Sequence, residues 1–474
     1  MSQHDVAIIG AGVLAKATAL ELCKLGKSVV VFAPPELARR SASSAAGAML
    51  GAFAEFTKGK DDFADRQEAE LRIRSGRRWQ SWYDEITDGI SHEGGVRRGT
   101  FIVATNTGLE DVENVEFIQE RASQFGEPHS WVDPRDVDGL NPHRLCRAQK
   151  VLALPNEGYI DSGVLRDAVD EALIRNPLAT VVGETAVKVT IEGATPTVVS
   201  SIGHVYSAAD LVVAAGAEST KLLRQLHLPF SLGVPELLGG KGVSAIVTGD
   251  LAFAGVLRTP NRDFACGTHI VPLGSGRTYL GATNRLETES FLNPRATLGE
   301  LHSIAHSLSN EINVHFRTAE VTEIRAGYRP ISSDGYPIYG QTAHPHVFVA
   351  TGTYRNGILM APEIARTVAL EVAGSAPQPT NAFSPVERQK LFSDRDMEAI
   401  MLGSLKQVVS FMQEPDGNLP FNRAAELEGL LRAFLQGALN LEGGTELVAL
   451  YRDLTDRYPI SEAMPLLMYE VTQR

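Results

Sequence analysis

Cysteine is nearly absent: Cys23, Cys146 and Cys266 stand scattered over 474 residues. They share no metal-ligand spacing and are too sparse for a disulfide framework, so no metal site is expected and reduced thiols in a cytoplasm are. No run approaches the ~18 consecutive apolar residues that a membrane-crossing helix needs. The N-terminus lacks a basic stretch followed by an apolar run and a small-residue cleavage site, so no secretory signal is expected. Positive charge is short as well: 44 Lys and Arg face 57 Asp and Glu, a formal charge of −13. That balance argues against nucleic acid or an anionic membrane surface as a partner. Repeats and low-complexity tracts are missing too. What is present is an acidic chain, 43% hydrophobic, long enough to bury two cores and a smaller third.

The first thirty residues fit the start of a βαβ unit. Val6-Ala7-Ile8-Ile9 is a continuous apolar run of the buried parallel kind. Gly10-Ala11-Gly12-Val13-Leu14-Ala15 then matches G-x-G-x-x-G/A, and a helix runs to about Leu25 before Gly26 stops it. Val29-Val30-Val31-Phe32 reads as the second strand. The glycines permit a tight turn and close backbone approach to a pyrophosphate, while Ala15 lets the helix pack on the strand. An acidic residue normally ends the second strand and holds the ribose, but Ala33 and Pro34 stand there. Glu36 can reach back to the ribose or can be a solvated loop residue; Arg39 or Arg40 on a 2′-phosphate is the lesser, NADP alternative.

Near the other end, Val347-Phe348-Val349-Ala350 reads as a strand running through Thr351-Gly352 into a helix that starts near Gly357. The positive N-terminus of such a helix suits an anionic ring or a carboxylate. Arg329 and Arg355 flank this feature and offer planar, bidentate partners for a carboxylate. Dinucleotide turn and arginine pair together point to a flavin and a small anionic substrate. Either arginine can instead be structural, bridging loops.

Five ordered segments carry a resemblance. Arg40-Ser41-Ala42-Ser43-Ser44-Ala45-Ala46-Gly47-Ala48-Met49-Leu50-Gly51 and the following residues to Glu55 resemble the second flavin-contacting segment of the D-amino-acid oxidase superfamily of FAD-dependent oxidoreductases. Ala186-Val187-Lys188-Val189 resembles the strand whose backbone meets the adenine, and residues 210–219, with Gly216, the strand and turn beneath the dinucleotide. Residues 327–340 and 350–359 resemble the two C-terminal signatures. The likeness spans roughly residues 5 to 388, and within the superfamily it is greatest to the thiamine-pathway glycine oxidases.

The resemblance implies an α/β fold with a Rossmann-like FAD-binding domain (residues 1–85, 150–225 and 320–388) interleaved with an antiparallel-sheet substrate domain (86–149 and 226–319). It implies FAD contacts at Gly10, Gly12, Val13, Leu14, Ala33, Pro34, Ala42, Ser43, Gly47, Ala48, Met49, Val187, Gly216, Thr353, Tyr354, Asn356, Gly357, Ile358 and Leu359. Arg329 is implied to pair with the substrate carboxylate and Arg355 to line the same pocket. No essential side-chain base is implied: hydride leaves the α-carbon for the flavin, the imine hydrolyses, and O2 becomes hydrogen peroxide. With no cysteine near residues 327–340 and no histidine in 40–55, the FAD is expected to be non-covalent.

The substrate face departs from the pattern. Residues 267–283 resemble the hairpin that roofs the pocket, yet His269 stands where a tyrosine is usual and Leu273 where an arginine is. His269 can orient the substrate or move protons, or can be a buried histidine without a role. Asn284 is a candidate wall residue. Glu55 reads more readily as a solvated loop acid than as a pocket residue, and Asp334-Gly335 as a turn.

Residues 389–474 carry apolar positions at helical spacing, among them Leu427, Leu430, Leu431 and Phe434, and read as an appended helical segment. Its apolar faces can form their own core or meet another subunit or partner, and a homo-oligomer is expected. The expected activity is oxidation of a small amino acid or N-substituted glycine. A dehydrogenase with a non-oxygen acceptor, a flavoprotein serving mainly in assembly, and a nicotinamide-dependent enzyme are the alternatives.

Overall fold

The computed structural model describes residues 2–391 except 91–93, 109, 193–194, 227–233, 236, 263–266, 288–292, 333, 377–378 and 389–390, together with residue 453. The expected helical segment at 389–474 thus lies outside the described residues, positions 391 and 453 apart.

The chain opens with β1 (Ser2–Ile9), α1 (Val13–Lys24), β2 (Val29–Phe32), α2 (Pro35–Arg39), α3 (Ala42–Ala45) and α4 (Phe63–Ile86). Next come β3 (Arg97–Thr105), α5 (Asp111–Gln124), β4 (Ser130–Val132), β5 (Ala148–Tyr159) and α6 (Ser162–Arg175). β6 (Ala179–Val182), β7 (Ala186–Glu192), β8 (Thr195–Ser200), β9 (Val205–Val213) and α7 (Ser219–Arg224) follow. The last stretch holds β10 (Leu237–Thr248), β11 (Val256–Arg258), β12 (His269–Gly274), β13 (Arg277–Gly281), β14 (Arg285–Glu287), α8 (Leu298–Glu311), β15 (Glu320–Ser332), β16 (Ile338–Gln341), β17 (Val347–Thr351) and α9 (Gly357–Val372).

These strands build two sheets. The first has the order β16-β17-β9-β1-β2-β6, with β8 added beside β9 and β7 beside β8. From β17 to β6 neighbouring strands are parallel. Covered on both faces, β1 needs no alternation, and Val6, Ala7 and Ile8 are each fully buried. α1, α4 and α9 pack together on one face through Leu20, Leu22, Trp79, Leu359 and Ile364. Their lengths are set by local signals: α4, for example, starts at a reciprocal capping box between Asp62 and Asp65.

The second sheet runs β14-β10-β13-β12-β11-β3-β5-β4, with β15 pairing β10 antiparallel over its whole length. It is antiparallel apart from the β11–β3 pair. The α/β class expected from the sequence is what the chain adopts. Strands β5 and β15, drawn from segments expected to serve the nucleotide domain, hydrogen-bond instead into this second sheet. β15 then hands the chain back through residues 333–337 to β16 in the first sheet, so Arg329 stands at the seam between the two sheets. Among the described residues no helix is long and apolar enough to cross a membrane.

Candidate functional site

A cavity of about 470 Å³ follows that seam, lined from residues as distant as Ile9 and Ile358. At its floor β1 ends in the Gly10-Ala11-Gly12 turn. A Cβ on Gly10 would lie 2.2 Å from the Ala214 carbonyl oxygen and 2.8 Å from the Ala15 Cβ, so the turn and the small sixth position of the motif are demanded by packing. Gly12 caps α1 without a side-chain hydrogen bond, and the first turn carries no acid. The Val13 N–H donates to Ser43 Oγ at 3.2 Å, tying the turn to the second expected contact segment. α9 repeats the arrangement: Asn356 caps it without a side-chain bond and its first turn is also free of acids. Two helix N-termini of this kind face the cavity and favour negative charge there.

Backbone lies open where a flat ligand would press. Ala48 adopts φ +52 and Tyr354 φ +45, left-handed values that side chains other than glycine's rarely take. At Gly47 a Cβ would fall 2.8 Å from the Tyr279 ring. Gly216, at φ +60, accepts at its carbonyl from Thr351 Oγ1 at 2.8 Å. A cavity floored by small residues, with two helix starts whose cap residues make no side-chain hydrogen bond, fits a dinucleotide carrying a planar ring.

The cavity brings together most of the residues singled out from the sequence. Gly10, Gly12, Val13, Leu14, Pro34, Ala42, Ser43, Gly47, Ala48, Met49, Gly216, Thr353, Tyr354, Asn356, Gly357 and Ile358 line it, as do His269, Arg329 and Arg355. Three are not in its wall. Ala33 is buried beside it, while Pro34, Leu37 and Arg40 take that stretch. The Val187 side chain turns outward, 50% exposed, while its neighbours Thr185 and Ala186 line the cavity. Leu359 belongs to the α1–α4–α9 core, its neighbour Ile358 accepting at its carbonyl from Trp79 Nε1 at 3.0 Å. Glu36 is exposed and outside the wall.

Around Arg329 and Arg355 several charged side chains gather. Arg329 reaches from β15 across β10, where Gly242 leaves room: a Cβ there would lie 2.4 Å from Nη2. Nη1 of Arg329 donates to the Thr283 carbonyl at 3.0 Å and to Asn284 Oδ1 at 3.2 Å. Both acceptors are neutral, and among the described residues Arg329 forms no ion pair. Arg355 differs. Its Nη2 lies 3.5 Å from Glu55 Oε2, and its guanidinium stacks 5.0 Å from the centre of the Tyr354 ring.

Glu55 is no solvated loop acid. Its side chain is 8% exposed and lines the cavity, held by Arg258 Nη1 at 2.7 Å as well as by Arg355. Burial alone would raise its carboxyl; the Arg258 and Arg355 guanidiniums overcome this and hold it at about 2. Arg258, itself buried at the end of β11, also donates to Asn261 Oδ1 at 2.6 Å. Neither Arg258 nor Asn261 sits in a motif, so sequence reasoning passed over both.

His269 lines the cavity from the first position of β12. Its Nδ1 lies 3.0 Å from the Gly267 carbonyl, an acceptor, so Nδ1 carries the proton and Nε2 presents a lone pair. Burial, with the Arg258 and Arg329 charges, pushes its ionisation down to about 3, and the ring is neutral at physiological pH. It stacks on Tyr279 with ring centres 6.0 Å apart, and Gly281 supplies space beside Nε2, where a Cβ would come within 2.7 Å. Asp334 sits at a turn, as its Asp-Gly context suggested. It accepts from Arg388 and from the Tyr336 N–H at 3.2 Å.

Comparison with known proteins gives a consistent picture. Residues 5–370 match the family described as FAD dependent oxidoreductase. The glycine oxidase of Geobacillus kaustophilus is 27% identical over 366 residues, 76% of this chain and 90% of that protein. The glycine oxidase of Bacillus licheniformis is 26% identical over 391 residues, 79% and 94% of the two chains. The crystal structure of the Geobacillus protein superposes with a TM-score of 0.69 at 24% identity, covering 81% of this chain and 98% of that one. The iminodiacetate oxidase of Chelativorans superposes with a TM-score of 0.66 at 21% identity, covering 80% and 98%.

Proposed function

Since the chain belongs to the family of FAD dependent oxidoreductases, we propose that it oxidises a small amino acid or N-substituted glycine, taking the substrate's carboxylate on Arg329. FAD, when bound, supplies the two-electron acceptor for the amine-bearing carbon. The nicotinamide alternative falls away with family membership. Glycine oxidases among the relatives support an amino-acid substrate, and the likeness to an iminodiacetate oxidase supports the shared fold.

One observation carries the reading: Arg329 stands in the cavity wall with its charge met only by neutral oxygens among the described residues. A guanidinium so placed pairs well with a planar carboxylate. Arg355 is engaged by Glu55 and stiffens the wall with Tyr354. His269 Nε2 offers an acceptor to an amine N–H, while the Arg329 and Arg258 charges near that ring favour the neutral amine, the form whose α-carbon gives up hydride. Positioning by these groups supplies the rate enhancement. The imine product then hydrolyses to a carbonyl acid and ammonia or a primary amine, and two electrons pass on to O2, giving hydrogen peroxide. The absence of cysteine from the described cavity wall supports a non-covalent FAD.

The test is anaerobic bleaching of the purified yellow protein by glycine, sarcosine, iminodiacetate and D- and L-amino acids, followed by admission of air. The reading expects bleaching by a carboxylate-bearing amine and peroxide on reoxidation. A flavin that no such amine bleaches ends the proposal; bleaching without peroxide transfers it to a dehydrogenase.

A further inference from the structure

Asn284 touches two of the residues that shape the substrate end, and it does so with opposite ends of its amide. Its Oδ1 accepts from Arg329 Nη1 at 3.2 Å, while its Nδ2 donates to the Tyr354 hydroxyl at 2.6 Å. The two contacts leave no ambiguity in the amide's orientation, because a guanidinium can only donate. The residue is 4% exposed. A Cβ on Gly240 of β10 would lie 2.6 Å from Ile331 Cδ1 and 3.1 Å from the Asn284 Oδ1, so the bare strand makes room for both side chains. Arg329 rises from the second sheet, whereas Tyr354 sits in the strained turn of the first, its N–H donating to the Pro330 carbonyl at 2.8 Å.

Nη1 of a guanidinium carries two protons, and here one goes to the Thr283 carbonyl and the other to Asn284. Among the described residues the Nε–Nη2 edge therefore remains for a bidentate partner. An acid at position 284 would occupy Nη1 as an ion pair and cancel the attraction for a second carboxylate. We propose that Asn284 is a specificity-determining positioning residue: its neutral amide fixes Arg329 and Tyr354 together, keeping the arginine's charge and its Nε–Nη2 edge for a substrate monocarboxylate. This rests on the reading of Arg329 given above.

The test compares parent, Asn284→Asp, Asn284→Ala and the conservative Asn284→Ser in two assays on flavin-loaded protein, after flavin content and Tm show which variants fold. Acetate titration followed by the visible flavin spectrum reads carboxylate binding alone. Anaerobic stopped-flow reduction by the best amine substrate reads half-saturation and limiting rate separately. Asn284→Asp is expected to weaken both acetate binding and half-saturation roughly ten- to hundredfold, with a smaller change in limiting rate. Asn284→Ala should fall between, and Asn284→Ser nearer the parent. If Asn284→Asp, or Asn284→Ala where the acid variant does not fold, keeps the parent's half-saturation and acetate affinity, the inference is overturned. If acetate binding follows the expected order while no amine reduces the parent, the inference stands and the proposed oxidation falls.

Discussion

Gly242 and Arg329 contend for one volume: a Cβ on the glycine would fall 2.4 Å from Nη2 and 2.5 Å from Cζ of the guanidinium. Gly242→Ala should therefore push the guanidinium aside without touching the dinucleotide turn. A displacement on the order of 1 Å at a positioning group costs about a hundredfold in kcat/KM. Steady-state kinetics should show that loss with flavin content unchanged, and parent-like kinetics would mean Arg329 does not hold the substrate from this position.

Removing the arginine itself tests the same contact more severely. Arg329→Ala is expected to keep the flavin and to lose affinity for carboxylate-bearing amines by about a hundredfold or more. Arg329→Lys should recover only part, since an ammonium lacks the bidentate edge. Equal bleaching of parent and alanine variant by the same substrate would contradict the assignment.

Glu55 links acidity to stability. Its folded carboxyl is held at about 2 against an ordinary 4.5. The unfolded chain then binds the extra proton, so this contribution is complete above 4.5 and drains away as pH falls toward 2. Glu55→Gln should flatten the Tm profile in that window. It should also destabilise the protein at neutral pH by about 3 kcal/mol or more, because Arg258 loses a buried counter-ion.

Glu157 is expected to behave in the opposite sense. It is fully enclosed on β5, its Oε1 accepting from the Phe53 and Ala54 N–H groups while Oε2 has no hydrogen-bond partner among the described residues. Burial raises its carboxyl from 4.5 to about 8. The folded form keeps a proton that the unfolded chain has released, so stability falls as pH climbs from 4.5 to 8. Glu157→Gln should lose that slope in calorimetric scans; a slope identical to the parent's would place the titration elsewhere.

His269 should leave no step in the pH profile near 6.5, because its ionisation is displaced to about 3. His269→Phe is expected to lower kcat/KM by about tenfold, the worth of one hydrogen bond, at every pH tested. A histidine limb that disappears in the variant would show the ring to be charged in the working enzyme.

Much of the frame could be read in advance because local rules repeat there. The apolar run before Gly10, the small residue at Ala15 and the stop at Gly26 describe one βα turn with little freedom. Arg329 and the start of α9 were legible for similar reasons, as a charged residue and a strand-to-helix junction each carry a recognisable grammar. Arg258, Asn261 and Glu157 were not. Each acquires its meaning from partners far along the chain, and Glu55 reads as a polar loop residue until Arg258, 203 positions away, is brought against it. One overlooked clue was available: the glycines at 239, 240 and 242 weaken a strand unless something large must pass close by. Val187, expected to meet the adenine through its backbone, has its side chain half exposed where the register of β7 is irregular, beside Thr185 and Ala186 in the cavity wall.

The cavity's wall is assembled from Gly10 near one end of the described chain and from Gly357 near the other. On a ribosome the first of these emerges long before the second, and β17, which carries α9 into place, cannot join β9 until nearly the whole oxidoreductase body has been synthesised. Flavin capture is consequently a late event in biogenesis: nascent fragments lacking α9 should remain colourless however much FAD surrounds them.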